Sequence, residues 1–269
     1  IPQTNNVFPS LTQRGIYDPD KVEITEAIVP AVEGESQLPP VAAILALKGE
    51  AKKGQTTAAR CVMCHRLEDQ GVDFWWIDWQ HGVDSGVAGL DPLWWLNHLH
   101  YYDLARNDGR GFIFSRWGGL GNHRYPIGFS GDTIVSWESL AFQPHFTATA
   151  ANVGYGWWSH DIGGHTRGVE EAELYTRWVQ YGVFSPILRL HSTNNPFHER
   201  RPWGYDAETL RVVRDAMQLR HALVPYLYSM AWRDHSEATA LVRPMYHEHP
   251  SEASAYEVPD QYFFGSELI

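Results

Sequence analysis

Residues 154–165 read GYGWWSHDIGGH, and the same pattern recurs in DFWWIDWQHG at 73–82, in FIFSRWGGLGNHRYPIGFSGDT at 112–133 and in ILRLHST at 187–193. Each is a short apolar run that ends on a polar group: Asp78, then Arg116 and Asp132, then Asp161, then His191. Short apolar runs bounded by glycine and turn residues read as buried strands. Strands are therefore expected at 74–78, 111–116, 155–161 and 186–191, with a short one near 127–131. Helical spacing fills the intervals at 91–105, 137–153 and 170–183, the first opened by Asp91 and Pro92 as a start signal. Alternating strand and helix predicts parallel βα units. A polar group repeated at the ends of such strands gathers at one face, where barrel active sites are built from loops. Farther on, 206–235 reads as one long helical region and Tyr262–Ile269 as a strand.

Composition narrows the function classes. The chain has 269 residues, 43% of them hydrophobic, enough for a substantial core, and its net charge of −11 repels phosphate backbones and anionic lipid surfaces. Nucleic acid is therefore excluded as the expected partner. No run approaches the ~20 apolar residues of a membrane span, so membrane insertion is not expected. The opening IPQTNNVFPS has neither a basic nor an apolar signal region, so a signal peptide is absent or was removed. Twelve Trp, 13 Tyr and 11 Phe fit sugar-stacking walls, but on composition alone a large aromatic core is the favoured reading. Trp75–Trp76, Trp94–Trp95 and Trp157–Trp158 are adjacent pairs, so one ring of each pair is expected between strand and helix. Oligomeric state is not legible in the sequence.

The first 70 residues differ in texture from the remainder. Residues 1–40 carry six prolines and no Trp, and read as loops with one short helix at 23–29. Helical spacing at 41–48 leads through GEAKKGQTTAAR into CVMCH, which holds both cysteines, Cys61 and Cys64, with His65 next to them. That spacing suits c-type haem attachment, with His65 as iron ligand, and also a redox pair, a disulfide or an accident. Two cysteines are too few for a four-cysteine zinc site. Residues 40–73 resemble the haem-attachment segment of bacterial cytochromes c. The resemblance implies covalent haem c at Cys61 and Cys64 and a periplasmic or extracytoplasmic location. The sixth iron ligand and closing helix of that family have no counterpart after Phe74.

From about residue 67 to 269 the strand-end motifs resemble family 31 of the glycoside hydrolases, the α-glucosidase and α-xylosidase family. The resemblance implies retaining hydrolysis of O-glycosyl bonds in α-glucosides or related α-glycosides by two aspartates, with an oligosaccharide or α-glycoside substrate and no cofactor. It assigns the nucleophile to Asp78 of WWIDWQ and the acid/base to Asp132 of GFSGDT. Arg116, Asp161 and His191 fall on its substrate-binding positions. Many relatives read DMNE at the nucleophile, where this chain has Asp78, Trp79 and Gln80. Trp76 or Trp158 is expected to face the sugar. Taken singly, an Asp after a strand is more often a helix cap or turn former, but four matched strand ends reverse that weighting.

The expected architecture is α/β, a partial (β/α)8 TIM barrel holding strands four to eight, behind a mostly helical, incomplete cytochrome c-like segment. The expected domains are 1–66, 67–261 for the second half of the catalytic barrel, and 262–269 as the start of a β-domain. The seam falls at 67–74 and makes the chain look chimeric. A haem electron-transfer protein with a passenger barrel fragment, and an inactive truncated or chimeric chain, are the alternatives.

Overall fold

A computed structural model of the chain describes residues 73–78, 89–105, 109–116 and 120–269. The helices expected at 23–29 and 41–48, the CVMCH motif with Cys61, Cys64 and His65, and Trp79 and Gln80 lie outside them. The chain divides into two units, 1–112 and 113–269.

In the first unit, strand β1 (Trp75–Ile77) buries Trp75 and Ile77 and leaves Trp76 half-buried on the alternate side. Helix α1 (Pro92–Leu104) starts where its sequence signal lies: Asp91 Oδ1 accepts from the backbone N–H groups of Leu93 at 2.8 Å and Trp94 at 3.1 Å. Its buried Leu93, Leu96, Asn97 and His100 recur at helical spacing, and His100 packs its ring 5.0 Å from Trp75.

In the second unit, β2 (Ile113–Arg116), β3 (Pro126–Phe129) and β4 (Trp158–Ser159) run parallel in that order. Phe114 pairs with Ile127, and Phe129 with Ser159. The segment expected as a strand at 186–191 joins the same arrangement through two parallel bridges, Ser159 with Ile187 and Ile162 with Leu190. The α/β class and the parallel pairing are as expected.

Helix α2 (Trp137–Ala150) is capped by Ser136, and α3 (Ala172–Val183) buries Leu174, Tyr175, Trp178, Val179, Gly182 and Val183 along one face. That face meets Val135, Ile162 and Val213, forming a core around fully buried Trp178. The region expected as one helix at 206–235 is two, α4 (Ala207–Ala222) and α5 (Val224–Glu237). Pro225 has no N–H to continue the helical ladder, so the chain restarts there. Arg220 of α4 donates to the carbonyls of Val183, Ser185 and Pro186, each at 2.7 Å, and so completes the C-terminus of α3. Burial pulls its guanidinium down to about 10.

The strand expected at 262–269 shortens to β6 (Tyr262–Phe264). It pairs antiparallel with β5 (Val242–Pro244), a strand the sequence reading missed because Pro244 closes it after three residues.

Candidate active site

The residues around β4 alternate between two environments. Trp158 and His160 turn toward the helices. Trp158 is 2% exposed and meets Phe146 and Tyr155 edge-on, with ring centroids at 5.0 and 5.3 Å. His160 is wholly buried, with Nδ1 2.7 Å from Gln143 Oε1 and Nε2 2.7 Å from Thr147 Oγ1. Ser159 and Asp161 take the other side, where both meet Arg189. Of the two rings expected to face the sugar, Trp76 or Trp158, Trp158 packs on the helix side. Strand alternation makes it the member of its pair that packs between sheet and helix, as the adjacent-pair reading anticipated for one of the two.

On the Ser159 and Asp161 side, two arginines lie on an aromatic floor. Phe114 and Phe129 stack at 4.7 Å, the Arg116 guanidinium lies 5.3 Å from Phe129, and that of Arg189 lies 5.0 Å from Phe114. Such ring contacts fix a guanidinium without neutralising it. Arg189 forms a close ion pair with Asp161 Oδ1. Arg116 Nη2 reaches Asp132 Oδ1 at 3.3 Å, and its Nη1 donates to the Ser130 carbonyl at 3.4 Å.

Asp132 sits past β3 with φ of 45°, and Gly131 before it has φ of 60°. A non-glycine residue in the left-handed region is strained, and such strain gathers at working sites. A Cβ at position 131 would come within 2.9 Å of Arg116 Nη2, so the close approach of the arginine also demands glycine there.

Asp161 has no exposed surface. Burial pushes its carboxyl upward, but the side chain of His165 and the charges of Arg189, His191 and His165 outweigh burial and hold it below the usual carboxylate range. Its Oδ2 lies 3.0 Å from His165 Nδ1, yet neither atom has an aligned hydrogen bond, so a buried charged oxygen is left with capacity to accept. His165 Nε2 lies 3.4 Å from Asp132 Oδ1, and the His165 and His191 rings are 5.0 Å apart.

Backbone hydrogen bonds lace three successive strand-end loops together. His165 and Thr166 N–H donate to the Thr133 carbonyl, Val135 N–H donates to that of Thr166, and Thr193 N–H donates to that of His165. Arg200 donates to the carbonyls of Gly163 and Gly164 and pairs with Glu170 at 3.2 Å. Gly164 has φ of 81°, and Gly168 has φ of 67°. A Cβ on Gly168 would stand 1.9 Å from the Val135 carbonyl oxygen.

Four expected residues, Arg116, Asp132, Asp161 and His191, thus share one polar corner of the second unit. Asp78, in the first unit, directly follows β1 and is half-buried. The reading missed His165 and Arg189. Arg189 stands two residues before His191, and His165 follows Asp161 by four across a glycine pair, so both had a positional signal. Asp161, His165 and His191 offer ligand atoms within 4.8 Å of one another, but Arg189 already supplies the cation that Asp161 attracts. The donor set reads as a hydrogen-bonding corner rather than a metal centre.

Residues 56–230 match the model of the glycosyl hydrolases family 31 TIM-barrel domain. The match starts upstream of the expected seam at 67–74 and takes in Cys61, Cys64 and His65. The chain is 31% identical to an α-xylosidase of Emericella nidulans over 220 residues, 76% of this chain and 27% of that protein. It is 37% identical to a 1,3-α-isomaltosidase of Kribbella flavida over 191 residues, 65% of this chain and 26% of that protein. The cycloalternan-degrading enzyme of Trueperella pyogenes, solved with a covalent intermediate, superposes with a TM-score of 0.59 at 27% identity, covering 63% of this chain and 25% of that one. The chain spans about a quarter of the length of the curated relatives it matches. With a family match over well over half its residues and the parallel strands to carry it, this chain belongs to family 31 of the glycosyl hydrolases.

Proposed function

We propose that the chain carries catalytic machinery of a retaining α-glycosidase acting on α-glucosides or close relatives, with Asp78 as nucleophile and Asp132 as acid/base. The observation that supports this best is the unfilled acceptor capacity of buried, ionised Asp161 between His165 and His191. A sugar hydroxyl satisfies such an oxygen, and a hydrophobic ligand does not. Arg116, Asp161 and His191 hold the sugar, and Trp76, half-buried on β1, offers it a ring.

In the first step the Asp78 carboxylate attacks the anomeric carbon. The glycosidic C–O bond breaks, and its oxygen takes the proton of Asp132. In the second step Asp132 withdraws a proton from water, the water oxygen bonds the anomeric carbon and Asp78 departs. The covalent intermediate named for the Trueperella enzyme supports retention. No cofactor enters either step. Haem at Cys61, Cys64 and His65 rests on the pentapeptide, and a haem stain after expression with the maturation machinery decides it.

The test is a pair of substitutions. Asp78→Asn should abolish turnover of every α-glycoside, whereas Asp132→Ala should lose turnover of a disaccharide by roughly 10²-fold or more and retain only the first step on an α-glycosyl fluoride, whose leaving group needs no proton, seen as a burst of released fluoride. Turnover that survives Asp78→Asn overturns the assignment.

A further inference from the structure

The two-aspartate mechanism accounts for the sugar that bonds Asp78 and says nothing of what holds the sugar that departs. Two residues on the loops after Asp161 and His191 have no structural use. Arg167 has φ of 55°, a left-handed conformation that strains a side-chain-bearing residue and that Gly168 beside it takes freely. Its guanidinium is exposed and, among the described residues, has no ion pair or hydrogen bond. Phe197 is 81% exposed, and its ring meets no other ring among the described residues. We propose that Arg167 and Phe197 form the subsite for the leaving sugar of the α-glycoside, the ring against a pyranose face and the guanidinium on its hydroxyls. This rests on the α-glycosidase reading of the corner around Asp132 and Asp161.

Main-chain bonds place both residues. Thr166 N–H donates to the Thr133 carbonyl at 3.1 Å and Val169 N–H to that of Val135 at 3.3 Å, so Arg167 is pinned from both sides to the loop that Asp132 opens. Thr193 N–H donates to the His165 carbonyl at 2.9 Å, which ties the start of the Phe197 loop to the same turn. That loop then closes on itself. Asn195 Oδ1 accepts from Phe197 N–H at 3.0 Å, the Asn195 carbonyl accepts from His198 N–H at 3.0 Å, and Ser192 Oγ donates to the His198 carbonyl at 3.4 Å. Phe197 therefore returns beside the strand end that carries His191, and the buried His198 ring lies against the backbone of Arg167 and His165. The two residues stand on adjoining loops at the rim of the corner.

A single exposed ring is common on protein surfaces. A ring on a loop held closed by hydrogen bonds, next to a strained and unpaired arginine, is a different case. The neighbouring Arg200 and Arg201 are both neutralised, by Glu170 at 3.2 Å and Glu199 at 2.6 Å. A pyranose offers C–H bonds on its face and hydroxyls around its edge, and a ring beside a planar fork of N–H donors answers both. Trp203 is also exposed on this segment, but its turn (Pro202–Gly204) leads into Tyr205, which stacks on Tyr175 of α3 at 4.5 Å. It belongs with the helix layer and serves as the control.

The probes are isomaltose, nigerose, maltose and isoprimeverose, each compared with its non-reducing monosaccharide and with the matching α-glycosyl fluoride, which brings no leaving sugar. For the best-cleaved disaccharide, Phe197→Ala should lower the ratio of its kcat/KM to that of the fluoride by about fivefold or more, and Arg167→Gly by about tenfold or more. Calorimetry in an Asp78→Asn background should show the same losses in the ratio of disaccharide to monosaccharide affinity, and that ratio alone decides if a disaccharide is bound without being cleaved. Arg167→Gly should also hold or raise the unfolding temperature, because glycine adopts the left-handed backbone without strain. Trp203→Ala should leave the ratios unchanged. A ratio unmoved in either variant, an equal fall in Trp203→Ala, or an Arg167→Gly chain that unfolds at lower temperature overturns the proposal. Failure to bind any of the four disaccharides overturns both it and the α-glycosidase reading. If Asp78→Asn still cleaves while the ratios fall, the nucleophile assignment fails and the leaving-sugar subsite stands.

Discussion

His160 and Asp161 adjoin in sequence yet are buried in opposite charge states. Desolvation drives His160 down to about 3, so its imidazole stays neutral among Gln143, Thr147 and Tyr181, whereas Asp161 is held ionised. Both folded-state values lie below those of the unfolded chain, so the unfolded chain binds the extra protons on acidification. Stability contributed above these ordinary values is lost as pH falls. For His160 the loss begins below about 6.5 and grows as pH falls toward about 3. Thermal unfolding followed between pH 7 and pH 4 should show this slope, and His160→Gln should flatten it. A slope unchanged in the variant would assign the acid sensitivity elsewhere. The strand-end Asp161 was legible because polar groups close four successive apolar runs, a repetition that capping and turn formation do not account for. The fate of Trp158 was not, since which ring of an adjacent pair faces the helices depends on strand register, and composition does not carry register.

At the scale of elements, the turn at Gly163–Gly168 is where backbone geometry decides most. Gly168 combines φ of 67° with a Cβ position that the Val135 carbonyl occupies. Gly168→Ala must therefore push apart the two loops that carry Asp132 and His165. It should cost about 1–3 kcal/mol of stability in chemical denaturation and lower turnover more than KM is raised, because Asp132 is the proposed acid/base. Full retention of both would show that the loops move independently. Helix starts at Asp91, Ser136 and Asp206 were readable from sequence because each side chain caps its own helix. Strand lengths were not: the apolar runs continue past the last paired residue, so runs of five to seven residues were expected where two to four pair.

At the scale of the whole chain, the second unit holds its strand-end loops with main-chain bonds and packs its helices around a buried core. Hydrogen exchange separates these contributions. The amides of Val135, His165, Thr166 and Thr193 should exchange far more slowly than those of the exposed loop around Phe197, by a factor of about 10² or more, since opening them requires three loops to part together. Fast exchange at His165 would remove the rigid platform on which Asp132 depends. The lacing also bears on inheritance. Its bonds join N–H to C=O and use no side-chain atom, so substitutions other than proline at Thr133, Thr166 or Thr193 can accumulate without cutting a single stitch. A lineage built on such a seam is free to redraw the contour that meets a new sugar while the reactive groups stay in register, and diversification of substrate becomes a matter of drift on the rim rather than reconstruction of the centre.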